Sequence, residues 1–345
     1  MTPTSAGQDM PAAEPADACA VRVTGLRKAF QNKGGRVEAL RGVDLSVASG
    51  QIYGFLGPNG AGKTTAMRIL TTLLQADSGE VLVAGLDVRR HPAEVRRHIG
   101  YVGQRGGADL DATGLENLVL QGRLYGMGRA ETEGRAGELI ELLDLTAFSR
   151  RIARTYSGGQ RRRLEVALGI MHRPDVLFLD EPTLGLDPQN RANLWDQLRR
   201  LRDTGTTVLL TTHYLDEADQ LSDRVAIIDN GLVVAEGTPE ELKKRYPVGV
   251  TITPRAGIAD LASVAAELGR EPVVREAFID GGDIRVDIGS ATTGMAAIFD
   301  LLRARGVDVL GVSLREPSLD DVFLHETGRS LRDAGEPAAA EALAS

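Results

Sequence analysis

The most restrictive feature of the chain is a glycine-rich loop, Gly57-Pro58-Asn59-Gly60-Ala61-Gly62-Lys63-Thr64-Thr65, set between the apolar run Ile52 to Leu56 and a helix-compatible run. It fits G-x-x-x-x-G-K-[ST] in the strand-to-helix context that this pattern requires. The glycines allow successive backbone N–H groups to converge on one point, and a helix beginning at Lys63 adds its positive end, so the segment is built to hold oxyanions. Lys63 supplies a mobile charge for β- and γ-phosphates, and the Thr64 hydroxyl suits Mg²⁺. A plain glycine-rich turn is the competing reading, and it would not call for a Lys and a Thr at these two places.

Around this loop, short β-branched runs alternate with helical patterns. Ile99 to Val102, Val176 to Leu179, Val208 to Thr211 and Val225 to Ile228 read as strands, which predicts an α/β fold with a mainly parallel sheet covered by helices. Strands near Val21 to Val23 and Leu45 to Val47 have no helix between them and predict a small antiparallel sheet. Asn230-Gly231 between two apolar runs predicts a tight hairpin. Composition shifts after Pro239 to Val250. From about Gly249 the pattern reads strand (Val250 to Ile252), helix (Ile258 to Leu268), strand (Val273 to Ile279), strand (Ile284 to Ile288), helix (Met295 to Arg305) and strand (Val307 to Leu314). This βαββαβ order predicts a ferredoxin-like α+β module with a closing helix at Leu319 to Leu324. The expected limits are a disordered leader at 1–19, a first domain at 20–247, a second at 248–329 and a disordered tail at 330–345.

Charge narrows the classes of partner. Lys plus Arg number 40 against 48 Asp plus Glu, a formal charge of -8, which gives no attraction to a nucleic-acid backbone or an anionic lipid surface. No apolar run reaches the roughly 18 residues of a spanning helix, and the N-terminal stretch lacks the basic start and apolar core of a signal peptide. A membrane role therefore has to go through a protein partner, with the chain cytoplasmic and peripheral. The single cysteine, Cys19, reads as a stray thiol in the leader and agrees with a reducing compartment.

A second motif is the apolar run after Asp175 that ends in Asp180-Glu181 and is stopped by Pro182. Carboxylates at such a strand end face the crevice where α/β proteins bind ligands. Asp180 is expected to hold Mg²⁺ through its water shell, and Glu181 to orient or deprotonate the water attacking a γ-phosphate. On its own, this stretch could equally cap the next helix. Together with the loop it defines a nucleotide hydrolase.

The third motif, Tyr156-Ser157-Gly158-Gly159-Gln160, puts a Ser-Gly-Gly turn at the head of a helix, where Ser157 is also a good N-cap. Here the chain resembles the ATP-binding subunits of ABC transporters, whose signature is LSGGQ, with Tyr156 replacing a Leu that is structural. The resemblance spans about residues 20 to 245. It implies a P-loop NTPase fold with a parallel core, an antiparallel β subdomain and a helical subdomain, with the signature turn facing the γ-phosphate held by the opposite subunit. By the same resemblance, Gln104 senses Mg²⁺ and the attacking water, Asp187 braces the dimer interface and His213 contacts the γ-phosphate. Phe30 resembles the aromatic that stacks on adenine. The segment Arg105 to Tyr125 is the implied route to a transmembrane permease subunit. The remainder, including Leu314 to Gly328, is similar to the daunorubicin-resistance type of ABC ATPase with an accessory C-terminal domain, which implies export of a hydrophobic drug-like or lipid-like compound. One phosphate loop and one signature imply a dimer with a second ATP-binding subunit, with ATP and Mg²⁺ between the two. The competing class is a soluble ABC ATPase acting on ribosomes or DNA, against which stand the acidic charge and the lack of a second ATPase half. A small-molecule kinase would lack the signature and the histidine.

Overall fold

Strands β1 (Cys19–Asn32) and β2 (Gly35–Ala48) open the described chain and pair antiparallel along their length. The computed structural model describes residues 19–32, 35–104, 106–255, 261–289 and 291–329. Apart from Cys19, the leader and tail expected from composition lie outside the described residues. Cys19 itself is the first residue of β1, its Sγ 3.3 Å from Ser46 Oγ, and so belongs to the sheet, not to a leader. Both strands are much longer than the cores expected near Val21 and Leu45, because Val21 and Val23, and Leu26 after an irregularity in register, bury one face while polar neighbours extend the pairing.

The parallel sheet comes next. Strand β3 (Ile52–Leu56) leads through the glycine-rich loop into α1 (Lys63–Leu70), followed by β4 (Ser78–Val83) and the short β5 (Leu86–Asp87). The latter two complete a four-stranded sheet of order β2-β1-β4-β5. Helix α2 (Pro92–His98) enters β6 (Ile99–Val102), and α3 (Gly114–Leu124), α4 (Arg129–Leu142) and α5 (Gly158–Gly169) form a helical layer. Then come β7 (Val176–Asp180), α6 (Pro188–Asp203), β8 (Thr207–Thr212), α7 (Leu215–Leu221), β9 (Arg224–Asp229) and β10 (Leu232–Gly237). The six-stranded sheet has the order β10-β9-β3-β8-β7-β6, and the β9-β3, β3-β8, β8-β7 and β7-β6 pairings are parallel.

Strands β3, β7 and β8 are buried along their whole length, as parallel strands with both faces covered must be. Alternate residues serve two cores. Val176 and Phe178 pack with α1 and the antiparallel sheet, whereas Leu177 and Leu179 pack with the helical layer. The hairpin forms as expected, with Asn230 at φ 47° and Gly231 at φ 76°. Its turn also reaches the glycine-rich loop, since Gly231 N donates to Ala61 O at 3.0 Å and Gly231 O accepts from Arg41 N at 2.8 Å.

The chain divides into two compact units, the first ending at Val234 and the second beginning at Ala235. The division falls ahead of α8 (Pro239–Lys244), which packs on a helix near the end of the chain. The second unit continues with β11 (Val248–Pro254), α9 (Leu261–Leu268), β12 (Val274–Asp280), β13 (Asp283–Ile288), α10 (Ala291–Ala304), β14 (Val309–Arg315) and α11 (Leu319–Thr327). Its sheet order, β12-β13-β11-β14, is antiparallel throughout and gives the expected ferredoxin-like module. The first residues of the helix expected from Ile258 lie outside the described residues. Tyr246 donates its hydroxyl to Glu326 Oε1 at 2.9 Å, and burial followed by that carboxylate pushes its pKa up to about 12.

A β-carbon at position 231 would sit 2.7 Å from Ala39 O in a left-handed backbone. Gly231→Ala is therefore expected to destabilise the first unit by about 1–2 kcal/mol, read as a lower urea midpoint for its transition. An unchanged midpoint would show that the turn tolerates a side chain.

Candidate functional site

Four parallel strands deliver the site's side chains from their C-terminal ends. Strand β3 ends at the glycine-rich loop, β6 just before Gln104, β7 at Asp180 and Glu181, and β8 just before His213. Gly57 N bonds to Thr212 O at 3.2 Å, which ties the loop's first residue to the end of β8. Gly60 and Gly62 have φ of 81° and 111°, and a β-carbon on Gly62 would lie 2.5 Å from Ala39 O. Gly62 caps α1 without a side-chain bond, so the helix's first N–H groups keep no side-chain acceptor of the cap.

Lys63 is only 5% exposed. Its ammonium donates to Gly57 O at 2.6 Å and Pro58 O at 3.0 Å and lies 3.7 Å from Glu181 Oε1. Burial pulls its pKa below the ordinary lysine value, opposed by Glu181 and Asp180. Asp180 is 2% exposed. Burial pushes its carboxyl up, while the Thr211 hydroxyl, donating at 2.6 Å, pulls it back. Thr64 Oγ1 also donates to Asp180 Oδ1, at 3.4 Å.

Glu181 takes φ 48°, a strained value for a residue with a side chain. Its N–H is held by Thr211 Oγ1 at 3.0 Å and Thr211 O at 3.2 Å. His213 Nδ1 stands 3.4 Å from Glu181 Oε1, within ion-pair reach but outside hydrogen-bond geometry. That imidazole, with Lys63 behind it, holds the Glu181 carboxyl below its ordinary pKa despite burial. Gln104 is exposed and lines a cavity of about 720 Å³ together with Thr64 and Asp180. The structure thus brings Lys63 and His213 to Glu181 and Thr64 to the neighbouring Asp180, with Gln104 lining the same cavity as Thr64 and Asp180.

The other expected residues sit apart from this cluster. Ser157 caps α5 by accepting from Gln160 N at 3.2 Å, while Gln160 Oε1 accepts from Ser157 N at 3.0 Å. Ser157 and Gly158 are exposed, whereas Gly159 packs so closely on Asn190 that a β-carbon would lie 2.5 Å from its Oδ1. Tyr156 is buried, with its hydroxyl on Phe148 O at 2.6 Å, in the structural place expected for it. Asp187 caps α6 through Asn190 N at 2.9 Å, and the Asn190 bonds hold its carboxyl below the ordinary range. Phe30 lies half-buried on β1, 5.6 Å under the Lys28 ammonium and outside the buried core. Arg105 is outside the described residues.

An oxygen-only donor pair of one hydroxyl and one carboxylate, Thr64 and Asp180, fits Mg²⁺ arriving with a nucleotide, because the ion keeps most of its shell for phosphates and water. Among the described residues no group of three or more His, Cys, Asp or Glu could hold a metal ion without such help.

The chain is similar to known proteins along most of its length. The family model "ABC transporter" matches residues 40–184, and "ATP-binding protein DrrA1-3-like, C-terminal domain" matches 237–327. The chain is 44% identical over 316 residues to the Daunorubicin resistance ATP-binding protein DrrA3 of Streptomyces coeruleorubidus, covering 91% of this chain and 97% of that protein. It is 45% identical over 329 residues to the Daunorubicin/doxorubicin resistance ATP-binding protein DrrA of Streptomyces peucetius, covering 93% and 96%. The chain belongs to the ABC transporter family. It is an ATP-binding, ATP-hydrolysing subunit of the type with a DrrA-like C-terminal domain. A solved dimeric ATP-binding cassette in a post-hydrolysis state with ADP and Pi superposes with a TM-score of 0.58 at 26% identity, covering 63% of this chain and 98% of that one. No helix among the described residues is long and apolar enough to cross a membrane.

Sequence reasoning passed over Thr211, whose one hydroxyl serves both carboxylate residues. Only the parallel register that puts it opposite Asp180 reveals it. Thr211→Val keeps the shape and removes the hydroxyl. It is expected to cost about 1–3 kcal/mol, the penalty for leaving a buried polar group short of a partner, and to lower ATP turnover. Unaltered denaturation and turnover would show that Asp180 needs no such support.

Proposed function

We propose that this subunit energises export of hydrophobic drug-like or lipid-like compounds by a separate transmembrane permease, working as a dimer of ATP-binding subunits on the cytoplasmic face of the membrane. The observation that carries the reading is the pair of resistance proteins matched across both units of the chain. Exposed Leu120, Leu124 and Tyr125, at the end of the segment expected to meet a permease, favour an apolar protein partner there. The charge of -8 gives no support to a nucleic-acid partner.

In this reading, the loop Gly57 to Thr65 cradles the phosphates through its backbone N–H groups beyond Pro58, and Lys63 turns its donors from Gly57 O and Pro58 O toward the β- and γ-oxygens. Thr64 and Asp180, with Gln104 facing them, would hold Mg²⁺, which when bound supplies neutralisation of the phosphate charge. Glu181, kept ionised by its neighbours, orients the attacking water and accepts its proton. His213 reaches the γ-phosphate from the other side of Glu181, and Phe30 offers its ring to adenine. Ser157 and Gly158 are exposed, and Ser157 and Gln160 are bonded only within their own cap, which supports a role toward the γ-phosphate of a second subunit, with Asp187 at the same interface. Closure on ATP and reopening after hydrolysis then follow as a phosphate-held switch. The region to about 247 performs this cycle, and 248–329 is its accessory domain.

Assembly of each site from two chains makes a sharp test. Ser157→Arg and Lys63→Ala chains are each expected to be inactive alone and to recover about one working site per dimer when mixed. No recovery from folded, mixing chains would overturn trans assembly. ATP-dependent transport of a hydrophobic compound by vesicles holding the subunit and its co-purified permease tests the export reading, and turnover without transport counts against it.

A further inference from the structure

The helix that starts with the signature turn also grips the loops that carry the hydrolytic side chains, and it does so through one arginine. Arg162, in the first turns of α5, is 7% exposed. Its Nε donates to Pro182 O at 2.8 Å and its Nη2 to Asp180 O at 3.2 Å. Its Nη1 donates to Gly103 O at 2.9 Å and to Glu165 Oε2 at 3.0 Å.

The identity of these acceptors carries the argument. Asp180 O and Pro182 O belong to the residues on either side of Glu181, whose φ of 48° needs support from its surroundings to persist. Gly103 O belongs to the residue immediately before Gln104. One side chain thus fixes the backbone around two residues from different strands. A guanidinium can do this because its five N–H donors lie in one rigid plane, whereas a lysine ammonium is a point charge with three rotatable donors. Glu165, one turn along α5, balances the buried charge, and its carboxylate fills the space that a side chain on Gly106 would occupy.

We propose that Arg162 is a positioning residue for ATP hydrolysis, locking the peptides around Glu181 and before Gln104 to helix α5. The placement of α5, and so of the signature turn at its head, then sets the geometry of the chain's own hydrolytic side chains. The two ATP sites of a dimer are linked through this contact, because the turn that meets one nucleotide sits on the helix that orients the residues around the other. The inference rests on the roles proposed above for Glu181 and Gln104.

Arg162→Lys keeps a charge opposite Glu165 and loses the planar set of donors. In the full chain assembled with its permease, kcat is expected to fall about 10-fold or more with KM for ATP within about threefold, since small displacements of reacting groups are costly while binding contacts remain. A double-mutant cycle separates positioning from general disturbance. In a Glu181→Gln background the lysine substitution is expected to cost much less than in the wild type, because both changes act on one step. Should Arg162→Lys fail to fold, Arg162→Met combined with Glu165→Gln removes both buried charges and is expected to give the same pattern. Wild-type kcat, a raised KM at unchanged kcat, or equal fold-losses in the two backgrounds would each overturn the inference. Full turnover by Glu181→Gln alone would instead overturn the catalytic reading on which it rests.

Discussion

The register of four neighbouring parallel strands is the constraint on which the site depends. Leu56 pairs with Thr212, Asp180 with Thr211, and Val102 with Leu179. These pairs stop the strands at nearly one level, so that a loop, a glutamine, two carboxylates and a histidine leave the sheet along a single crest. Side chains alternate between the two faces, and a slip of one residue would move Phe178 and Leu179 into each other's cores. The hydrophobic packing that selects the register therefore also places the chemistry.

What the register places is electrically costly. Lys63, Asp180 and Glu181 are all largely withdrawn from water, and burying charge is unfavourable unless partners replace the lost solvent. The partners are close by: two loop carbonyls for the ammonium, the Thr211 hydroxyl for Asp180, and an imidazole and an ammonium beside Glu181. The two carboxyls end with opposite tendencies: burial keeps Asp180 pushed up despite the Thr211 hydroxyl, while the imidazole and the ammonium hold Glu181 down despite burial. A triphosphate fits such a site because it offers the lysine better acceptors than peptide oxygens. The strained backbone at Glu181 stores part of the cost in a position that its surroundings over-determine.

The two units were built by different rules. In the first, fully buried strands demand layers on both faces, and the antiparallel sheet and the helices supply them. In the second, Val250, Ile252, Val286 and Ile288 alternate along their strands to bury one face under α9 and α10. Helix α11 packs on α8. That contact explains why the second unit begins ahead of α8, although the change in composition comes after it. Composition reports what a segment is made of, while a boundary depends on which distant segment it touches.

Sequence alone determined the parts that depend on local chemistry. The glycine-rich loop, the acidic strand end, the capped signature turn, the Asn-Gly hairpin and the βαββαβ order are all contiguous patterns whose geometry is dictated by neighbours in the chain. Strand lengths were less legible, as in β1 and β2, where register continues past the apolar core into polar residues. The roles of Thr211 and Arg162 stayed hidden because a threonine in a strand and an arginine in a helix look ordinary until pairing and packing bring them to other segments. Arg162 meets carbonyls 20, 18 and 59 residues away in sequence. Contacts of that reach depend on the register of the sheet and the seating of α5, and tertiary structure alone decides both.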